Sequence, residues 1–210
     1  MTDRPSSDIA FSPAVKRIQA ERGSREAYAR IEARGGFRIA IDTKLESFLA
    51  DVDTAYLATA SASGQPYAQH RGGPRGFIRV VDDRTIGFVD FSGNRQYIST
   101  GNLAENPRAF LFLMDYAHRR RIKLWGHARV VAADADLLAR LMPEGYGAQP
   151  EQVILFAIEA WDSNCPQHIP QKFAAADVAQ ALAERDARIT ELEAENARLQ
   201  DLVRSAPGRS

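Results

Sequence analysis

The 210 residues carry 27 lysines and arginines against 27 aspartates and glutamates, with 45% hydrophobic and 26% charged residues. That is the make-up of a soluble globular chain with apolar material for one sizeable core, and its zero formal charge sets up no global field toward nucleic acid or an anionic membrane. A single cysteine, Cys165, excludes an intramolecular disulfide framework, no signal-peptide run opens the chain, and no window approaches the roughly 20 apolar residues of a membrane span, so a cytoplasmic protein with a small-molecule partner is expected.

Ser12 before Pro13 starts a first helix, and Gly23 interrupts it before Ser24 caps a second that runs toward Gly35 and Gly36. Asp42 and Thr43 are cap residues, Glu46 stands three after Thr43 as in a capping box, and Leu45, Phe48 and Leu49 form an apolar stripe, which predicts a third short helix. From Thr54 the pattern changes to β-prone runs, TAYLATAS, PYAQHR, FIRVV, TIGFVDF, AFLFLMD and RIKLWGHARVV, separated by turn-rich pieces. Closely spaced strands of this kind indicate an antiparallel barrel or sandwich. In the last run Ile122, Leu124, Ala128 and Val130 alternate with Lys123, Trp125, His127 and Arg129, and Gly126 marks a bulge or bend. A helix in QYISTGNLAENP, stopped by Pro107, interrupts the sheet; another around Asp134 to Leu141 and a strand from Val153 to Ala160 complete it.

The tail from Ala174 has heptad spacing. With Leu182, Ile189, Asn196 and Val203 at a, Val178, Arg185, Leu192 and Leu199 fall at d, so only Arg185 and Asn196 break an apolar seam. Two arrangements remain open: a short parallel coiled coil registered by Asn196, with Arg188 at g reaching Glu193 at e of the other chain, and a helix folded back on its own barrel. The chain thus reads as an N-terminal helical arm (1–41), a β-rich domain (42–173), a coiled-coil helix (174–204) and a disordered end (205–210).

Three segments carry candidate chemistry. QHRGGPRGF, residues 69–77, sets Gln, His and Arg beside glycines that let backbone approach a flat ligand, although taken alone it reads more readily as a glycine-rich hairpin bend. SGNRQYIST, residues 92–100, follows a strand and opens a helix with Asn94, Arg95, Gln96, Ser99 and Thr100, the donor set that holds a phosphate at a helix N-terminus; its bland reading is an ordinary cap. HRRRIK, residues 118–123, sends Arg119 and Arg121 to one face and Arg120 to the other, and without interleaved aromatics or net positive charge it does not read as a nucleic-acid patch. Cys165 and His168 stand close enough for a thiol–imidazole pair, but no metal or nucleophile motif surrounds them, and packing or an interface role fits better.

Taken together and in order, GQPYAQHRGGPRGF, the strand–GNRQYIST–NLAENPR junction and RRRIKLWGHARV resemble the pyridoxamine 5′-phosphate oxidase-related FMN-binding split-barrel family over roughly residues 40 to 172. HRGGP, DFSGNRQYI, GNLAENPRAF and NCPQHIP are similar to its bacterial predicted flavin-nucleotide-binding subgroup. The resemblance implies a mainly β, α+β fold, a split β-barrel with N-terminal helices and a C-terminal helix, binding FMN between the two subunits of a homodimer. It places Gln69, His70, Arg71 and Gly72 along the isoalloxazine edge, Asp90 and Phe91 beneath the ring, and Asn94, Arg95, Gln96, Ser99 and Thr100 around the ribityl phosphate. Arg121 would fall near the pyrimidine end, and Trp161, Gln167, His168 and Gln171 would reach the partner's site.

One departure counts against the vitamin-processing activity. Where the oxidase carries an Arg/His/Trp-rich C-terminal segment that holds pyridoxal phosphate, this chain has NCPQHIPQKF and the heptad tail. An FMN-dependent oxidoreductase of another small-molecule redox substrate is the leading expectation. A non-enzymatic flavin carrier or sensor, and a split barrel holding haem or a deazaflavin, are the alternatives; no metal site and no membrane or nucleic-acid partner is expected.

Overall fold

In the computed structural model, residues 4–163 and 166–205 are described; Cys165 and residues 206–210 of the end expected to be disordered fall outside them, while Ser205 is the last residue of a helix. The chain divides into two compact units, residues 1–169 and 170–210.

In the first unit a short 3-10 turn (Ser6–Ile9) leads into α1 (Pro13–Glu21), α2 (Arg25–Glu32) and α3 (Thr43–Asp51). Ser12 caps α1 by accepting from the Val15 N–H at 3.3 Å, and Ser24 precedes α2 without a side-chain cap. At α3 the cap is Asp42, whose carboxylate accepts from the Leu45 N–H at 3.0 Å. Thr43 is already the first helical residue, so the expected Thr43–Glu46 capping box does not form; the residue with extended backbone just outside the helix takes the role.

Seven strands follow: β1 (Thr54–Ala60), β2 (Pro66–Gly72), β3 (Arg79–Val80), β4 (Thr85–Phe91), β5 (Arg108–Asp115), β6 (Arg120–Ala132) and β7 (Pro150–Ser163). They form one antiparallel sheet in the order β2-β1-β5-β6-β7-β4-β3. Between them lie α4 (Ile98–Glu105), after β4, and α5 (Ala135–Leu141), after β6. The sheet curls on itself, since Leu57, Leu111, Leu113, Ile122, Leu124, Phe156, Ile158, Ile86 and Phe88 from successive strands share one buried cluster that α3 closes with Leu45, Phe48 and Leu49. This is an α+β split barrel.

Sequence alternation held through the expected irregularity in β6, where the register against β7 shifts between Trp125 and Gly126. A Cβ at Gly126 would run into the Ala157 carbonyl, so a side chain has no room at that bulge. FIRVV contributes only the two residues of β3, with Phe77 and Ile78 buried ahead of it. Arg119 sits in the β5–β6 turn with φ of 52°, ahead of the strand, so it does not share a strand face with Arg121 as the spacing predicted.

The segment read as an arm is packed into the same unit as the barrel. Phe37 stacks on Trp125 with centroids 5.2 Å apart, and Arg38 and Ala40 offer carbonyls to the backbone N–H and the indole N–H of Trp161, both at 2.8 Å. The second unit holds α6 (Ala175–Ser205), a helix of 31 residues along which every side chain is exposed. No helix among the described residues is long and apolar enough to cross a membrane.

A polar hollow where β2, β4 and the start of α4 meet

Gln69 and Arg71 share one face of β2, because they are two residues apart, and both line one hollow. Across the opening Arg71 forms an ion pair with Asp90 on β4, with side-chain exposures of 11% and 14%. Arg71 also donates to Gln69 at 3.1 Å, and Gln69 accepts from the buried Ser99 hydroxyl at 3.1 Å. Register puts Gln152 of β7 opposite Asp90, and its amide donates to Asp90 at 2.8 Å and to the Thr100 hydroxyl at 2.9 Å. One connected network therefore ties β2, β4, β7 and α4 together.

Between β4 and α4 the backbone turns through two non-glycine residues in the left-handed region, Arg95 (φ 57°) and Tyr97 (φ 51°). Such residues are uncommon and cost free energy unless their surroundings hold them. Tyr97 is held by Glu151, which accepts from its hydroxyl. That hydrogen bond, with a smaller part from desolvation, raises the phenol's pKa, while Arg95 pulls it down. Because Tyr97 is the N-cap and gives no side-chain cap, the N–H groups of Ile98, Ser99 and Thr100, which precede the first helical bond (Gly101 N–H to Tyr97 C=O, 2.8 Å), lack a capping acceptor.

Gln69, Arg71, Asp90, Tyr97, Ser99, Thr100, Glu151 and Gln152 line a hollow of about 330 Å³ with Phe91, Gly93, Asn94, Arg95 and Gln96. Of its charged groups, Arg71 and Asp90 are matched to each other and Glu151 is engaged by Tyr97, whereas Arg95 has no hydrogen bond or ion pair among the described residues. Free donors thus outnumber free acceptors at the helix start, the electrostatics of an anion site.

Of the expected residues, the structure brings together Gln69, Arg71, Asp90, Phe91, Asn94, Arg95, Gln96, Ser99 and Thr100. Gly72 ends β2 beside them, and a Cβ there would meet the His70 ring at 2.8 Å. His70 projects from the opposite face of β2, edge-on to Tyr56 at 5.6 Å. Arg121 is on the outer face of β6, opposite Met114 in register, with its Nε buried and without a hydrogen-bond partner among the described residues. Gln167 and His168 are exposed beyond β7, and Gln171 belongs to the second unit. Trp161 corrects the expectation of a residue reaching a partner: it is 0% exposed, in the barrel core, with its indole N–H spent on Ala40. Sequence reasoning missed Gly93, Tyr97, Glu151 and Gln152. Among the described residues no cluster of His, Cys, Asp and Glu is arranged to hold a metal.

Residues 41–165 match the pyridoxamine 5′-phosphate oxidase family. No curated protein matches the chain significantly. Similar solved structures include HupZ from Group A Streptococcus (19% identity, covering 63% of this chain and 99% of that one, TM-score 0.48). An FMN-binding protein from Syntrophomonas wolfei (14%, 72% and 95%, TM-score 0.45) and a protein related to general stress protein 26 from Clostridium acetobutylicum (14%, 66% and 99%, TM-score 0.42) are also similar. With the match spanning the third helix and the whole sheet, the chain belongs to the pyridoxamine 5′-phosphate oxidase family.

Proposed function

We propose that this protein binds FMN, with the phosphate in the hollow at the start of α4, and works as a flavin-dependent oxidoreductase on a small molecule other than pyridoxamine phosphate. The observation that carries the reading is the convergence of an unpaired Arg95, uncapped helix N–H groups and the Thr100 hydroxyl on one concave site in a chain of this family. The residues fit a phosphate monoester. Arg95 supplies charge-assisted hydrogen bonds, the helix start supplies oriented N–H dipoles, and Asn94 and Gln96 supply amide donors.

When bound, a flavin supplies hydride or electron transfer; the chain supplies binding and orientation. Gln69 and Arg71, fixed by Ser99 and Asp90, would present polar groups beside the phosphate, and Phe91 an apolar surface. The reading includes a homodimer, as the sequence resemblance implies. His70, Arg121, Gln167 and His168 lie outside the hollow, where a ligand extending past it or a second chain would engage them.

The test is titration of the flavin-free protein with FMN and with riboflavin. A phosphate held at the helix start makes FMN bind at least about tenfold more tightly, since a charge-assisted contact is worth roughly 1.5–3 kcal/mol. Equal affinities, or no binding of either, would reject the assignment.

A further inference from the structure

We infer that α6 pairs with α6 of a second copy of this chain, and that the two helices run antiparallel. The seam is open: Val178, Leu182, Ile189, Leu192, Leu199 and Val203 are 44%, 55%, 53%, 51%, 48% and 76% exposed. A row of large apolar side chains at heptad spacing along a fully exposed helix marks a protein contact.

What identifies the occupant is how the two ends of the helix complement each other. Near its N-terminus α6 has an apolar groove of about 300 Å³ lined by Phe173, Val178, Ala181 and Leu182, with Asp177 and Arg185 at its rim. Near its C-terminus it presents Leu199, Leu202 and Val203, with Leu202 54% exposed at a g position. Reversing one helix against the other and pairing a with d seats the partner's Val203 on Val178 and the partner's Leu199 on Leu182. Ile189 then meets the partner's Leu192. On the g edge the partner's Leu202 falls beside Ala181, completing the groove. A two-fold axis fills both grooves at once.

Charge selects the same arrangement. The seam's two polar residues, Arg185 and Asn196, meet each other in this register, a cation against an amide oxygen, so neither is buried without a partner. At the neighbouring g positions Arg188 meets the partner's Glu195. A parallel pair, the arrangement that Asn196 alone would favour, sets Arg185 against the partner's Arg185 inside the seam and carries Leu202 away from the groove at Ala181. It gains only the contact of Arg188 with the partner's Glu193. The antiparallel register brings the acidic Asp186 and Glu193 of the e edges together, but exposed like charges at a helix surface repel weakly, whereas a like-charge pair in an apolar seam is desolvated.

Full-length protein with Cys165→Ser decides this by disulfide trapping at low concentration under mild oxidation. The inference expects Val178→Cys and Val203→Cys each to stay uncross-linked as single variants. The Val178→Cys/Val203→Cys double variant should convert predominantly to a covalent dimer whose linked peptides contain position 178 of one chain and position 203 of the other. These two sites lie at opposite ends of a 31-residue helix, about 37 Å apart at 1.5 Å per residue, so the link cannot form within one chain. Cross-linking of either single variant would establish a parallel pair and overturn the inference. Absence of any link in all three would show that the seam is not covered by a second copy.

Discussion

Arg71 of β2 is ion-paired with Asp90 of β4, although β1, β5, β6 and β7 separate their strands within the sheet. The pair spans the split of the barrel and forms one wall of the hollow. Both side chains are largely out of water, so removing one leaves the other as an uncompensated charge. Asp90→Ala should cost about 3 kcal/mol of folding stability, and Asp90→Asn, whose amide oxygen still accepts from Arg71 while its NH2 loses the hydrogen bond that Gln152 donates to the carboxylate, should cost less. Urea unfolding of the three proteins measures this; an unchanged midpoint for Asp90→Ala would mean the pair contributes nothing.

Among the described residues Arg95 makes no ion pair that its removal could break, and its left-handed backbone is no worse for alanine than for arginine. Arg95→Ala should therefore leave the melting temperature within about a degree or two while weakening FMN binding by roughly ten- to a hundredfold. Flavin fluorescence titration beside a thermal melt separates the two effects, and unchanged affinity in the folded variant refutes the phosphate role.

Asp115 is a source of pH dependence. Burial by itself would raise its pKa, but the His118 N–H at 3.0 Å and the Arg120 guanidinium at 2.8 Å hold the carboxylate charged, and the net shift is downward. A carboxylate with a lowered folded-state pKa stabilises the fold above its unfolded value and loses that contribution as pH falls through the folded one. Stability should decline below about pH 4, the usual carboxylate range, and Asp115→Asn should flatten the decline while lowering stability at neutral pH. Parallel denaturation curves between about pH 3 and 7 would show it; equal acid sensitivity in both proteins would assign the effect to other groups.

Truncation after Lys172 removes α6, which belongs to a different compact unit from the sheet. The shortened protein should keep its fold, bind FMN and remain a dimer if the proposed flavin-side association and the proposed helix seam are separate contacts. Light scattering with flavin titration checks this, and a flavin-free monomer would show that the tail holds the dimer together.

Much of this was legible because a half-buried strand prints its faces in alternate residues. Ile122, Leu124 and Ala128 point into the core as their spacing predicts, and Gly126 breaks the register where a side chain would strike Ala157. The helix opening after SGNRQY and its hydroxyl and amide donors were equally readable. Glu151 and Gln152 were not, since they sit at the start of β7, far along the chain from the loop they serve. Only the pairing of Asp90 with Gln152 carries them there. Knowing that β4 and β7 are antiparallel neighbours would have been enough to find them. Trp161 is a different case: the family resemblance carried it to a partner's site, and only tertiary packing reveals that it is buried with its N–H taken by Ala40. Asp42 and Thr43 are both good cap residues, and the choice between them depends on where the helical dihedrals begin.

The hollow's position on the sheet has a consequence for its dynamics. β2 is an edge strand with a hydrogen-bonded neighbour on one side only, while β5, β6 and β7 are paired on both. Local opening free energies fall toward such margins, so the amides of β2 and of residues 92–97 should exchange with deuterium long before those of the central strands. A ligand bridging these segments would couple their openings to its own release, and its residence time would be written in the exchange rates of one strand and one turn.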